Sequence, residues 1–349
     1  MTKVLVVATS RKTRGGITSV VSAYERSDMW ASNHCRWIET HVDRGVVWKF
    51  IYFLRSLVVY TFLLHSYDII HIHTSEPPSA IRKCPFMALA KLAGKKTIVH
   101  FHSFSSDTTI RGKYGNVYKY LFGKADVVIA LSKMWKENIN NKFNLGDKVQ
   151  VVYNPCASQP SYKDCPKQKH ILYAGTLNKR KGYSDMIKAF ARIADKYPEW
   201  KIVFAGNGEM DEATTLAKEL GVESQTIFLG WVTGEDKNKA FEESSIFCLP
   251  SYAEGFPMAV LDAWAYALPV ITTPVGGLPE FAENGKNVLL FEPGDTEELS
   301  KKMDLLIKDE TLRRNIAKNS YILASDLFSV EAVSRKMAKI YTELINHTR

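Results

Sequence analysis

Two carboxylates eight positions apart, Glu254 and Asp262, frame the stretch AEGFPMAVLDAW at 253–264. The preceding IFCLP reads as a strand and Ser251 to Phe256 as a loop. Pro257 fits the first helical position, where its missing N–H costs nothing. Glu254 then lies in the loop at a strand's carboxyl end, and Asp262 about a turn and a half into the helix. A carboxylate accepts hydrogen bonds on both oxygens and so grips a vicinal diol. A nucleotide-sugar carries a diol at each end, with a diphosphate between them that suits a helix N-terminus. The plainer reading is a loop charge and a helix-surface charge.

Other segments could serve the same ligand. AGTLNKRKGYSDMIKAF (174–190) is a strand, a loop and a helix, with Arg180 and Lys181 directly before Gly182. Two cations and free backbone N–H groups suit a diphosphate, although a solvated basic turn has the same look. ATSRKTRGGITSV (8–20) repeats the layout with Gly15 and Gly16 and allows close backbone approach. It is neither a P-loop nor a dinucleotide fingerprint. In FAGNGEM (204–210), Gly206 and Gly208 admit a phosphate or ribose, or make a turn. In TIFLGWV (226–232), the chain at Trp231 and Val232 could meet a planar base through its backbone.

The histidines come as His71-Ile-His73 and His100-Phe-His102. Strand alternation places each pair on one face. A metal site is the weakest reading, because no acid or cysteine completes the spacing. A single functional histidine at a strand's carboxyl end, His102, is preferred, with packed core histidines as the alternative.

These groups need a frame. KVLVVAT (3–9), YDIIHIH (67–73), KKTIVHFH (95–102) and ADVVIALS (125–132) are apolar runs, each followed by a loop and a helical pattern. That alternation predicts a parallel sheet covered on both faces. The stretch 151–169 holds three prolines and no periodicity, and reads as a linker. A second series follows at 170–176, 200–208, 225–231, 244–251 and 268–274. The expectation is an α/β chain of two doubly wound domains, 1–157 and 158–325, facing each other across a cleft. Residues 328–345 have helical periodicity, with Ser329 as a cap. The terminal helix, 326–349, is expected to pack back on the first domain.

Composition bounds the partners. The 349 residues carry a net charge of +9, with +12 in residues 1–157 and −3 in the remainder. The basic half is expected to face something anionic: a membrane, nucleic acid or a phosphorylated substrate. Cations such as Arg82, Lys83, Lys95 and Lys96 would contribute at a surface. Five scattered cysteines argue against a disulfide framework or structural zinc. The first residues do not resemble a signal peptide, and a cytoplasmic location is expected. VVWKFIYFLRSLVVYTFLL (46–64) is interrupted by Lys49 and Arg55. It reads first as a buried crossover helix, then as one dipping into a membrane interface, and last as a membrane span.

At this point the chain resembles the GT4 family (group 1) of retaining glycosyltransferases with the GT-B fold. The carrier is SYAEGFPMAVLDAWAYALPVITTPVGGLPEFAENGKNVLLFEPGD (251–295), whose acid pair matches the family's E-x7-E motif. The early Gly-Gly loop, DIIHIH, IVHFHS, GTLNKRKG, FAGNGE and IFLGWV agree with it, so the resemblance spans essentially the full chain, more loosely in 20–65. It implies that Glu254 binds the donor-sugar hydroxyls, Asp262 the ribose diol and Lys181 the diphosphate. It also implies that Gly16 approaches a phosphate or the acceptor, His102 lines the reaction site and Val232 reads the base. Arg180, Gly208, Phe256, Pro257 and Met258 complete the expected donor side.

The chain departs from the family at three places. The second acid is one methylene short of Glu. Thr176 stands where the family has Arg, with Arg180 as a replacement charge. Pro257 replaces a common Gly and removes a backbone donor.

The resemblance implies a UDP-sugar donor and retention of anomeric configuration. The acceptor would be a polyprenyl-diphosphate-linked or other cell-envelope saccharide, of capsule, O-antigen or exopolysaccharide type. No Asp-x-Asp pair occurs in the sequence, so no metal cofactor is expected and cations must balance the leaving group. The location would be the inner face of the cell membrane, with no nucleic-acid partner. A UDP-sugar epimerase of similar shape is one alternative; the 251–295 stretch argues against it. A non-catalytic basic binder is another, and it leaves Glu254, Lys181 and the glycine loops unexplained.

Overall fold

The computed structural model describes residues 2–156 and 167–346. The chain divides into two compact units, Met1–Ala157 with Val330–Arg349, and Ser158–Ser329. Residues 157–166, the middle of the expected linker, lie outside the described residues.

The first unit contains strands β1 (Val4–Ala8), β2 (Arg36–Glu39), β3 (Ile69–Thr74), β4 (Lys96–Phe101), β5 (Val127–Ala130) and β6 (Val149–Val151). All neighbours pair in parallel, in the order β2-β1-β3-β4-β5-β6. Its helices are α1 (Gly16–Glu25), α2 (Asp28–Ser32), α3 (Val46–Leu63), α4 (Pro77–Leu92), α5 (Gly115–Lys124) and α6 (Lys133–Phe143). The strands are apolar runs because helices cover both faces. One face sets Ile70, Ile72, Val99 and Phe101 against Tyr60, Phe86, Tyr118 and Leu121. The other face carries the four histidines.

The second unit contains β7 (His170–Ala174), β8 (Lys201–Ala205), β9 (Thr226–Gly230), β10 (Ile246–Leu249), β11 (Val270–Thr272) and β12 (Leu289–Leu290), again parallel. Helices α7 (Tyr183–Ala191), α8 (Met210–Glu219), α9 (Gly234–Glu243), α10 (Met258–Ala265), α11 (Thr296–Lys308) and α12 (Glu310–Leu323) accompany them. The order β12-β11-β10-β7-β8-β9 is the Rossmann order, and it reverses between β7 and β10. Ligands of such sheets bind beyond the carboxyl ends of the strands at that reversal, where diverging connections leave a crevice.

Two expectations change. The terminal helix α13 (Val330–Asn346) belongs to the first unit, but the boundary falls at Ser329 rather than 325. Phe328 stays in the second unit, packed on Phe256, Trp264 and Phe281. The stretch 46–64 is not buried. α3 turns Ser56 and Tyr60 into the core, with Phe53, Leu57, Val59 and Leu63 packed beside them, and leaves the opposite stripe outside. Val46 is 82% exposed and Phe62 79%, and Trp48, Phe50, Ile51, Leu54 and Val58 are exposed between them. The physical reason is position. α3 packs on edge strand β2 and on α4, so one stripe suffices to seat it.

Candidate active site

Three loops at the carboxyl ends of β7, β10 and β11 build one cluster in the second unit. After β7, the Asn178 side chain accepts from the Lys181 N–H at 3.0 Å and closes a turn over Lys179–Lys181. Gly182 follows at φ 68°, and a Cβ there would lie 2.0 Å from the Pro250 carbonyl oxygen. Only glycine lets this loop press on the end of β10. The Tyr252 N–H then donates to the Arg180 carbonyl at 2.7 Å, and the Arg180 guanidinium donates to the Ala253 carbonyl.

Glu254 is where these loops converge. It is 9% exposed. Its Oε1 accepts from Ser251 Oγ at 2.9 Å and pairs with Lys181 Nζ at 2.8 Å; Arg180 lies 3.6 Å away. Burial pushes this carboxyl up, but Lys181 and Arg180 outweigh burial and hold it below the usual carboxylate range. The loop after β11 supports it from behind. Gly276, at φ 65°, brings its backbone so near that a Cβ would sit 2.3 Å from the Glu254 carbonyl oxygen. The cluster holds two cations and one anion, so it has room for added negative charge.

Asp262 lies in α10 but is not open. It is 3% exposed, and its Oδ2 pairs with Lys237 Nζ of α9 at 2.6 Å. This corrects the picture of a carboxylate standing ready for a diol: a cation already holds one of its oxygens. Pro257 is the N-cap of α10 rather than its first residue. The Phe256 ring is buried on Phe281 and Phe328, which leaves its backbone as the part a ligand could meet. Met258 begins α10 and is half-buried. Gly208 answers to packing. A Cβ there would lie 2.2 Å from the Leu177 carbonyl oxygen, where the loops after β7 and β8 bridge. Val232 is half-buried, beyond the end of β9.

In the first unit, α1 opens at Gly16 with no side-chain cap, and a Cβ on Gly15 or Gly16 would meet nothing within 4 Å. The N-terminus of α1 is therefore open to an anion. His102 follows β4, half-buried, with its Nε2 2.9 Å from His73 Nδ1. His71, His73 and His100 are buried, and Tyr341 of α13 bonds His71 Nδ1 through its hydroxyl at 2.7 Å. Neighbouring rings stack at 4.2–5.4 Å. Ring nitrogens of His71, His73 and His100 come within 4.8 Å of one another. Stacked rings aim their in-plane lone pairs side by side rather than at one point, an arrangement unlike a tetrahedral metal site. Burial pushes His71 and His102 down to about 3, and His73 and His100 well below the ordinary value.

A family model described as "Glycosyl transferases group 1" matches residues 159–322, and one described as "Glycosyltransferase Family 4" matches residues 13–157. The chain belongs to the group 1 glycosyltransferases. An uncharacterized glycosyltransferase of Haemophilus influenzae is 31% identical over 211 residues, covering 60% of this chain and 59% of that protein. The chain thus spans about three-fifths of that relative's length. The N-acetyl-alpha-D-glucosaminyl L-malate synthase of Bacillus anthracis is 25% identical over 293 residues, 80% of this chain and 75% of the relative. Among solved structures, HepE of Anabaena in complex with UDP-glucose has 20% identity and a TM-score of 0.78, covering 98% of this chain and 100% of HepE. The likeness is one of fold, and the chain shares the two-domain GT-B fold.

The sequence reading singled out Glu254, Lys181 and Arg180, and the fold brings them together. It missed Lys237, Ser251 and Gly276. Ser251 had a local signal, three residues before Glu254. Lys237 had none, because its contact with Asp262 joins two helices 25 positions apart.

Proposed function

We propose that the protein is a retaining glycosyltransferase that moves a sugar from a UDP-sugar to a lipid-linked or other cell-envelope saccharide. The observation that carries this is the Lys181–Glu254–Arg180 cluster at the strand-order reversal of the second unit. An arriving diphosphate competes with Glu254 for the two cations. As they turn to the phosphates, the Glu254 oxygens become available to sugar hydroxyls beside the reacting carbon. Asp262, steadied by Lys237, takes the ribose diol, and the backbone at Val232 meets the base.

In the front-face route, the bond between the anomeric carbon and the phosphate oxygen breaks. The acceptor oxygen bonds that carbon on the same face, and its proton passes to the departing phosphate. Lys181, Arg180 and the nearby helix N-terminus balance the developing charge without a metal. His102 and Gly16 belong to the acceptor side, in the first unit. The exposed apolar face of α3, in a unit whose residues 1–157 carry a net charge of +12, supports peripheral attachment to an anionic membrane on the cytoplasmic side.

The test is acceptor-dependent UDP release from a panel of UDP-sugars. Release that needs a saccharide acceptor supports the reading. A free epimer formed without acceptor would replace it with epimerase chemistry.

A further inference from the structure

The donor chemistry leaves the histidines of the first unit without a task. His71 and His73 lie on β3, His100 on β4 and His102 directly after it. The pairing register sets His73 beside His100, and the His102 N–H extends the ladder by donating to the Thr74 carbonyl at 2.8 Å. The backbone of His102 is therefore held like that of a strand residue. Its ring centroid lies 4.2 Å from that of His100. Of the four rings, three are buried and only His102 reaches the surface of the unit.

One contact decides what His102 presents there. Its Nε2 lies 2.9 Å from His73 Nδ1. The two ring centroids are 5.1 Å apart, and the planes differ by 20°. The rings thus meet edge to edge, with the bridging hydrogen close to both planes. Burial keeps both imidazoles neutral. His102 is pushed down to about 3, and His73 well below its ordinary value, with the neighbouring histidines adding to the push. A neutral imidazole has one N–H and one lone pair. The pair therefore shares a single bridging hydrogen, in one of two arrangements.

In the first arrangement His102 donates from Nε2, and His73 must carry its own hydrogen on Nε2. That atom is buried with no hydrogen-bond partner among the described residues, so an N–H would be stranded. Lys83 of α4 does not relieve it. Expected at a surface, Lys83 is instead fully buried and donates to the Thr40 hydroxyl, and burial disfavours its charged form. In the second arrangement His73 donates from Nδ1, and only a lone pair is left at its Nε2. Buried N–H groups without a partner are rarer in proteins than buried acceptors without one.

We infer that His73 is a positioning residue: it donates from Nδ1 to His102 Nε2 and leaves His102 with its hydrogen on Nδ1, as a hydrogen-bond donor to a substrate oxygen. The use of that donor rests on the glycosyltransferase reading. A ring in this form does not take the acceptor's proton. It holds one lone pair of the acceptor hydroxyl and leaves the O–H free to point at the departing phosphate.

The test reads the hydrogen directly, from proton–nitrogen spectra of the full chain with labelled imidazoles at neutral pH. His102 is assigned by the signals lost in His102→Asn. A protonated Nδ1 and a bare Nε2 are expected in His102; a bare Nδ1 overturns the inference. Kinetics supply a second readout. His73→Phe should lower kcat about two- to tenfold, as the loss of one neutral hydrogen bond predicts, and leave UDP affinity unchanged. His73→Asn, whose amide N–H can stand in for Nδ1–H, should restore most of the rate; equal losses in both variants overturn the positioning role. At position 102, Asn offers a donor and Asp only acceptors, so His102→Asn should retain more activity than His102→Asp. The reverse order marks a base and overturns the inference. The spectrum needs no substrate, so the two readings fail separately. A hydrogen on Nδ1 in a protein that transfers no sugar would sustain the His73 contact and remove the glycosyltransferase reading.

Discussion

Lys237 of α9 pairs with Asp262 of α10 at 2.6 Å, and the carboxylate it holds is almost wholly enclosed. The pair holds one oxygen of the shorter acid in place. Asp262→Ala should weaken UDP binding about ten- to a hundredfold, from the loss of a charged hydrogen bond worth roughly 1.5–3 kcal/mol. Turnover at saturating donor should change far less, because the ribose sees little charge change in the reaction. Lys237→Met should raise the donor KM in the same direction. Calorimetry and steady-state kinetics decide; unchanged affinity in both variants would remove the pair from the donor site.

Gly182 and Gly16 should respond differently to the same change. Gly182→Ala places a Cβ 2.0 Å from the Pro250 carbonyl at a positive φ, a strain of about 1–3 kcal/mol or more, and displaces Lys181. Its melting temperature should fall together with its UDP affinity. Gly16→Ala meets nothing and should fold normally. A loss of activity there at full stability would mark close ligand approach, whereas full activity would leave Gly16 a turn residue only.

The stacked histidines set a pH dependence of stability. In the folded chain they stay neutral far below the ordinary imidazole value, and in the unfolded chain they take protons below about 6.5. The unfolded state then binds more protons, so stability falls as the pH drops from about 6.5 toward 3. The slope is about 1.4 kcal/mol per pH unit for each histidine so affected. Melting curves between pH 7.5 and 5 should show the decline, and His100→Phe should make it shallower by one histidine's share. A flat wild-type profile would contradict neutral buried histidines.

Activity should persist in EDTA, because Lys181, Arg180 and a helix N-terminus are assigned the charge balance. Loss on chelation with recovery on adding manganese or magnesium would refute that assignment and return attention to His71, His73 and His100.

Membrane attachment should depend on the outer stripe of α3. Ile51→Asp with Val58→Asp touches exposed positions and should leave folding intact. Flotation with anionic liposomes should fall sharply in this variant, and in the wild type it should weaken as salt rises. Equal binding to neutral and anionic vesicles would contradict the role of the basic half.

Much of this architecture was legible because the central strands are continuous apolar runs, and a parallel sheet demands such runs. The short edge strands β2, β6 and β12 escaped notice, since two to four residues carry no clear period. The misreading of α3 has a physical cause. A helix apolar all round is normally buried, and only the tertiary context shows that one stripe is seated and the other is bare. Glu254 and Lys181 could be named from their loops. That they touch follows from the strand order, which sets β7 beside β10. Lys237 could not be named, because long-range ion pairs leave no local pattern.

The measurement closest to the central claim is UDP binding and sugar transfer by Glu254→Gln. In the free protein the carboxylate competes with a diphosphate for Lys181 and Arg180. Removing its charge should leave UDP affinity at least as high as in the wild type. The same change removes hydrogen bonds that strengthen as positive charge develops on the sugar, so transfer should fall about a hundredfold or more. Calorimetry with UDP beside acceptor-dependent UDP release gives both numbers. Tight UDP binding with transfer nearly abolished is the expected result; lost UDP binding with transfer retained at high donor would contradict the account.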